Sequence, residues 1–167
     1  MNSNKMVFQI NREGFFIDKS GNLEFDRCEL VKLAQKYGTP CYIFSENIII
    51  KKCQQYTSAL SKRNIDFEVI YAGKAFLVKA MCNILKEEGL SLDVSSGGEL
   101  YTALSAGFPP EKIYFHGNNK SKEEIEFALK EASQILSILL PIPHLNLNLG
   151  YLFPRGLLSF SSVLPFL

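Results

Sequence analysis

Residues 66–100, DFEVIYAGKAFLVKAMCNILKEEGLSLDVSSGGEL, decide the fold. DFEVIYA (66–72) is a short apolar run with β-formers and reads as a strand. FLVKAMCNILKEEG (76–89) reads as an amphipathic helix closed by Gly89, and LSLDV (90–94) as the next strand. GELYTALSAG (98–107) repeats the helix signal and closes on Gly107, and Pro109-Pro110 make a turn. KIYFH (112–116) is a third strand, and Ser121 caps a helix to about residue 131 whose positive end suits Glu123 and Glu124. Strand, short loop and helix thus recur three times, which predicts parallel strands joined by right-handed crossovers. The expected fold class is α/β, either a (β/α)8 barrel or an open doubly wound sheet. A full barrel takes about 250 residues, so 167 residues with three such units hold under half of one.

Upstream the rhythm differs. MVFQI (6–10) and GFFI (14–17) read as strands around the turn Asn11-Arg12-Glu13-Gly14. Residues 28–37 place Leu30, Val31, Leu33, Ala34 and Tyr37 at helical spacing, with Gly38 and Pro40 as stops. CYIF (41–44) reads as a strand, and Ser45 as the cap of a helix over 46–63. The expected organisation is a lead-in over 1–40, the first βα units of a barrel over 41–132, and a separate stretch over 133–167.

That last stretch breaks the composition. All 17 acidic residues and 17 of the 18 basic ones precede residue 133; beyond it Arg155 is the one charge, among eleven leucines and four prolines. Pro141, Pro143 and Pro154 interrupt any helix long enough to span a bilayer, which needs about 20 apolar residues. Nor does the stretch offer a polar face to water. It reads as foreign to the fold's design, such as a misjoined or frame-shifted end; an apolar packing segment and a membrane contact are the other readings. Elsewhere the balanced charge, net +1, gives no footprint for nucleic acid. Four scattered cysteines and two histidines make a poor set for structural zinc, and the thiols suit a reducing compartment. No secretory leader pattern opens the sequence. A cytoplasmic protein without a membrane partner is expected.

In parallel α/β folds the working residues sit at the carboxyl ends of strands. The first strand ends in YAGKA, so Lys74 emerges among Ala72, Gly73 and Ala75, which leave room for a flat ring. A partly desolvated lysine amine can form a Schiff base with an aldehyde; a solvated, inert lysine is the plainer reading. The second strand ends at Asp93 before Val94-Ser95-Ser96-Gly97-Gly98-Glu99. Asp93 can pair with a cation or orient Lys74, or merely cap a helix. Backbone N–H groups at Gly97 and Gly98 can face an anion, although glycines are common in such turns. Glu99 complements a helix dipole. The third strand ends in His116-Gly117-Asn118-Asn119-Lys120-Ser121, a polar loop that suits either a turn or a ligand.

Taken in order, YAGKA, LDVSSGGEL and YFHGNNKS resemble the opening of diaminopimelate decarboxylases, and more broadly the alanine-racemase-like barrel enzymes that include ornithine and arginine decarboxylases. The resemblance covers about residues 10–131. It implies the N-terminal portion of a barrel that binds pyridoxal 5′-phosphate, with Lys74 forming the Schiff base to the cofactor and Asp93 and His116 beside it. Ser96, Gly97, Glu99 and Asn118 match further parts of the family's site-lining motifs. It also implies a small amino-acid substrate, a homodimeric intact enzyme, and decarboxylation of meso-diaminopimelate to lysine. The family's phosphate loop, acidic pyridine partner, histidine over the ring, substrate-binding arginine and C-terminal β-domain cysteine have no counterpart in this chain, so it is expected to be inactive alone. An ornithine- or arginine-type decarboxylase and a non-catalytic α/β module are the competing readings.

Overall fold

The computed structural model describes residues 12–63, 65–117 and 119–131. The chain divides into two compact units, 1–52 and 53–167. The expected strand at 6–10 and the whole of 133–167 lie outside the described residues.

The first unit is built on a small antiparallel sheet of β1 (Phe15–Ile17), β2 (Leu23–Phe25) and β3 (Cys28–Glu29). Phe15 pairs with Phe25 across the ladder, with ring centroids 4.5 Å apart. The β1–β2 connection is an Asx turn: Asp18 Oδ1 accepts the backbone N–H groups of Ser20 and Asn22, each at 2.8 Å. β2 and β3 are joined by a tight turn in which Asp26 (φ 48°) and Arg27 (φ 66°) both lie in the left-handed region. α1 (Leu30–Tyr37) follows directly, so the expected helix over 28–37 begins two residues late and its first two residues are strand. CYIF (41–44), expected as a strand, enters neither sheet, and Tyr42 is 89 % exposed. Its composition favours a pleated surface, but strand propensity is realised only against a packed neighbour. Ser45 does cap α2 (Glu46–Ser61): its Oγ accepts from the N–H of Ile48 at 3.1 Å and donates to Asp26 Oδ2 at 2.7 Å.

The second unit carries the alternation read from the sequence. β4 (Ile70–Ala72), β5 (Ser91–Val94) and β6 (Ile113–Phe115) form a parallel sheet in the order β4-β5-β6. Ala72 aligns with Asp93, and Asp93 with Tyr114. α3 (Lys79–Glu87), α4 (Gly97–Ser105) and α5 (Lys122–Glu131) are the intervening and following helices, α3 against α4 and α4 against α5. Strand β4 is shorter than expected: 66–69 are not strand, although Val69 O accepts from Ser91 N–H at 2.9 Å.

Period-two alternation splits β5 and β6 cleanly. Leu92, Val94, Ile113 and Phe115 are at most 1 % exposed, and Leu85, Leu100, Ala103, Phe108 and Ala128 are buried with them in the unit's core. At about 25 cal/mol per Å² of apolar surface removed from water, this layer is the main stabiliser of the unit. The opposite face of the same strands carries Ser91, Asp93, Tyr114 and His116. Low on that face Glu68 accepts hydrogen bonds from the hydroxyls of Ser91 and Tyr114. Burial pushes the Tyr114 phenol above its ordinary value, and the bond to Glu68 and its charge add to the effect.

Candidate active site

The chain passes from β4 into a single 3-10 turn, Gly73–Ala75, at the carboxyl edge of the sheet. Gly73 is buried there, and a Cβ at that position would stand 2.7 Å from the carbonyl oxygen of Asp93. Only glycine lets the turn lie this close to β5. The turn leaves Lys74 exposed, between the small residues Gly73 and Ala75. The expected partial desolvation of this amine is therefore not seen among the described residues; it is open to an incoming carbonyl compound.

Next to it, the Asp93 carboxylate and His116 Nδ1 are hydrogen-bonded across the ends of β5 and β6. Burial raises the Asp93 carboxyl above its ordinary value, against the opposing pull of the His116 bond and of the charges on His116 and Lys74. Lys74 thus acts on Asp93 through space, and Asp93 acts on His116 by direct contact. With Asp93 ionised, Nδ1 must be the donor, so Nε2 is the nitrogen left to accept a proton. The His116 N–H donates to Val94 O at 3.0 Å, which fixes the residue in the sheet. Three of the residues singled out in the sequence therefore meet at one edge.

The others have more local roles. Ser96 is the N-cap of α4, its Oγ accepting from Glu99 N–H at 3.3 Å, so Asp93 is not the cap. Glu99 turns back onto the loop, where its Oε2 accepts from Ser95 N–H at 2.6 Å and Ser95 Oγ at 3.1 Å. The amide of Gly97, read above as available to an anion, is taken: it donates to Glu124 Oε1 at 2.6 Å. With Glu99 and Glu124 both seated on this loop, the start of α4 is an acidic surround and a poor seat for phosphate. Asn118 lies outside the described residues.

Two groups that the sequence placed only at a helix start and in a polar loop make longer-range bonds that shape the site. Glu124 forms a reciprocal cap with Ser121: Ser121 Oγ accepts from Glu124 N–H at 3.2 Å, and Glu124 Oε2 accepts from Ser121 N–H at 3.0 Å. The spacing Ser121-x-x-Glu124 announces that cap, but not the second bond to Gly97. The other is Lys120, whose partners are backbone carbonyls and carry no sequence signal.

A family model described as "Pyridoxal-dependent decarboxylase, pyridoxal binding domain" matches residues 46–138. The chain belongs to this family. The diaminopimelate decarboxylase of Bacillus methanolicus is 49% identical over 114 residues, which are 68% of this chain and 26% of that protein. The diaminopimelate decarboxylase of Bacillus subtilis (strain 168) is 48% identical over 113 residues, again 68% and 26%. The chain therefore spans about a quarter of the length of these curated relatives. Among solved structures, diaminopimelate decarboxylase from M. jannaschii superposes with a TM-score of 0.63 at 36% identity, covering 71% of this chain and 28% of that one. A lysine/ornithine decarboxylase from Vibrio vulnificus, at 22% identity and a TM-score of 0.52, shares the fold. The α/β units described above are thus the N-terminal part of a pyridoxal-binding barrel, and pyridoxal 5′-phosphate is the family's cofactor.

The residues present fit the aldehyde end of that cofactor. They provide an exposed primary amine on a turn of small residues, beside a carboxylate–imidazole pair.

Proposed function

We propose that this chain supplies the amine-bearing edge of a diaminopimelate decarboxylase, with Lys74 as the residue that bonds to pyridoxal 5′-phosphate. The observation that carries the reading is the placement of Lys74 on the turn after β4, next to the Asp93–His116 pair. The relatives' shared name and their 48–49% identity favour meso-diaminopimelate over ornithine or arginine as substrate. In the reaction the substrate's C–C bond to one carboxylate breaks, carbon dioxide leaves, and a proton takes its place. Pyridoxal, when bound, supplies the electron sink for that bond.

The chain's own residues bind and orient. Lys74 offers its amine from an exposed turn. Asp93 holds the imidazole of His116 in one tautomer and keeps negative charge beside the lysine. His116 lies close to the cofactor pocket in this reading, with Nδ1 on Asp93 and Nε2 left to hold a proton. Ser96, Gly97 and Glu99 set the course of the loop after β5, and Asn118 is assigned to the loop after β6. Residues 1–40 are read as the lead-in and 41–132 as the first barrel units, with 133–167 outside that design. A homodimer in the cytoplasm is the assembly and location proposed, on the strength of the family resemblance.

Borohydride reduction of the chain mixed with pyridoxal 5′-phosphate, followed by peptide mapping, tests the assignment. Label concentrated on Lys74 supports it. Label spread over the exposed lysines in proportion to their accessibility contradicts it.

A further inference from the structure

Lys120 lies in the loop after β6 and reaches the loop after β5 as well. Its ammonium donates to Ser95 O at 2.5 Å and to His116 O at 2.6 Å, and lies 4.3 Å from the centroid of the Phe115 ring. Charge-assisted bonds of this kind are roughly twice as strong as neutral ones, and the ring face adds attraction for the same cation. One carbonyl lies two residues past Asp93; the other is that of His116 itself. His116 is thus held at three points: its N–H by Val94, its ring by Asp93, its carbonyl by Lys120.

The loop is shaped to admit the ammonium. Gly117 has a φ of +132°, and a Cβ there would stand 2.5 Å from Lys120 Nζ. The amides of the facing loop are held as well, Ser95 by Glu99 and Gly97 by Glu124. Lys120 is the cation that completes this set, tying together the carbonyl ends of two adjacent parallel strands.

We propose that Lys120 is a positioning residue: it locks the loops after β5 and β6 so that the Asp93–His116 pair is fixed before a cofactor arrives. The cofactor part of this statement rests on the reading of Lys74 given above; the lock itself does not.

The test uses the full 167-residue chain. Limited acetylation with peptide mapping compares Lys120 with its exposed neighbour Lys122. Two charge-assisted hydrogen bonds predict that Lys120 reacts roughly tenfold or more slowly. Lys120→Met is then compared with Lys120→Arg, which keeps the charge and can reach both carbonyls. At fixed pH, Lys120→Met is expected to move the His116 ring resonances and to weaken trapping of pyridoxal 5′-phosphate at Lys74 roughly tenfold. Lys120→Arg is expected to restore most of both. Equal acetylation of Lys120 and Lys122 overturns the lock, as does a folded Lys120→Met chain with unshifted His116 resonances. If Lys120→Met does not fold, the acetylation comparison decides. A chain that shows Lys120 protection and the His116 shift but takes no label at Lys74 refutes the cofactor reading and leaves the lock standing.

Discussion

The carboxylate of Asp93 and the imidazole of His116 are hydrogen-bonded across neighbouring parallel strands, at the edge where Lys74 leaves the sheet. Their separation of 23 residues in sequence is closed by one βαβ crossover. The pair makes the site electrostatically responsive, because the same carboxylate is perturbed by burial, by the imidazole and by the lysine.

The raised carboxyl of Asp93 has a pH consequence. The folded state holds this proton more tightly than the unfolded chain. The stability from Asp93 is therefore complete below the ordinary value of 3.8 and is lost as pH rises through the folded value. Glu124, held below its ordinary value by the amides of Ser121 and then Gly97, has the opposite sign, its stability being lost as pH falls. Urea denaturation across this range is expected to show a flatter alkaline-side decline in Asp93→Asn than in the unsubstituted chain. A difference profile that is level, or that slopes the other way, contradicts the assignment.

Gly73→Ala tests the close approach behind the lysine. The added Cβ meets a backbone oxygen at 2.7 Å, so neither partner can swing aside. Overpacking of this kind costs about 1–3 kcal/mol. Chemical denaturation should show that loss, and trapping at Lys74 should fall because the turn carrying it is pushed off β5. A stable Gly73→Ala chain with full trapping would mean the turn is not packed as described.

Glu124→Ala removes one carboxylate from two helix starts at once, those of α4 and α5. Losing a capping interaction costs about 1 kcal/mol at one helix, so the expected loss lies at about 1–2 kcal/mol. Glu124→Gln should recover part of it, since an amide oxygen still accepts. Equal losses in the two variants would show that charge, not hydrogen bonding, is what matters here.

On the lower part of the same sheet face, Glu68→Ala strips Ser91 and Tyr114 of their shared acceptor. Ser91 is fully buried, and a buried hydroxyl without a partner costs about 1–3 kcal/mol. Tyr114→Phe, in which Glu68 keeps Ser91, should cost less. Denaturant midpoints for the two variants check the order.

Much of this arrangement was legible in the sequence. The helices and strands from residue 70 to 131 follow because each period change is marked by a glycine, proline or serine. The placement of Lys74, Asp93 and His116 at strand ends was readable because parallel sheets gather their polar residues at one edge. The first unit was harder. Asp26-Arg27 makes a tight turn without the usual Asn-Gly signature, so β2 and the strand character of Cys28–Glu29 escaped notice. CYIF (41–44) misled through composition alone. Lys120 and the Gly97 bond of Glu124 join side chains to backbone over 25 and 27 residues, and no local pattern encodes such a pairing.

The central claim is that Lys74 and the Asp93–His116 pair share one pocket. The most direct measurement is the His116 ring spectrum, assigned with His116→Gln, before and after borohydride labelling of Lys74 by pyridoxal 5′-phosphate. A shared pocket predicts that the His116 ring resonances move when Lys74 is labelled, and that Lys74→Ala abolishes the change. Full labelling of Lys74 with the His116 resonances unmoved would contradict it.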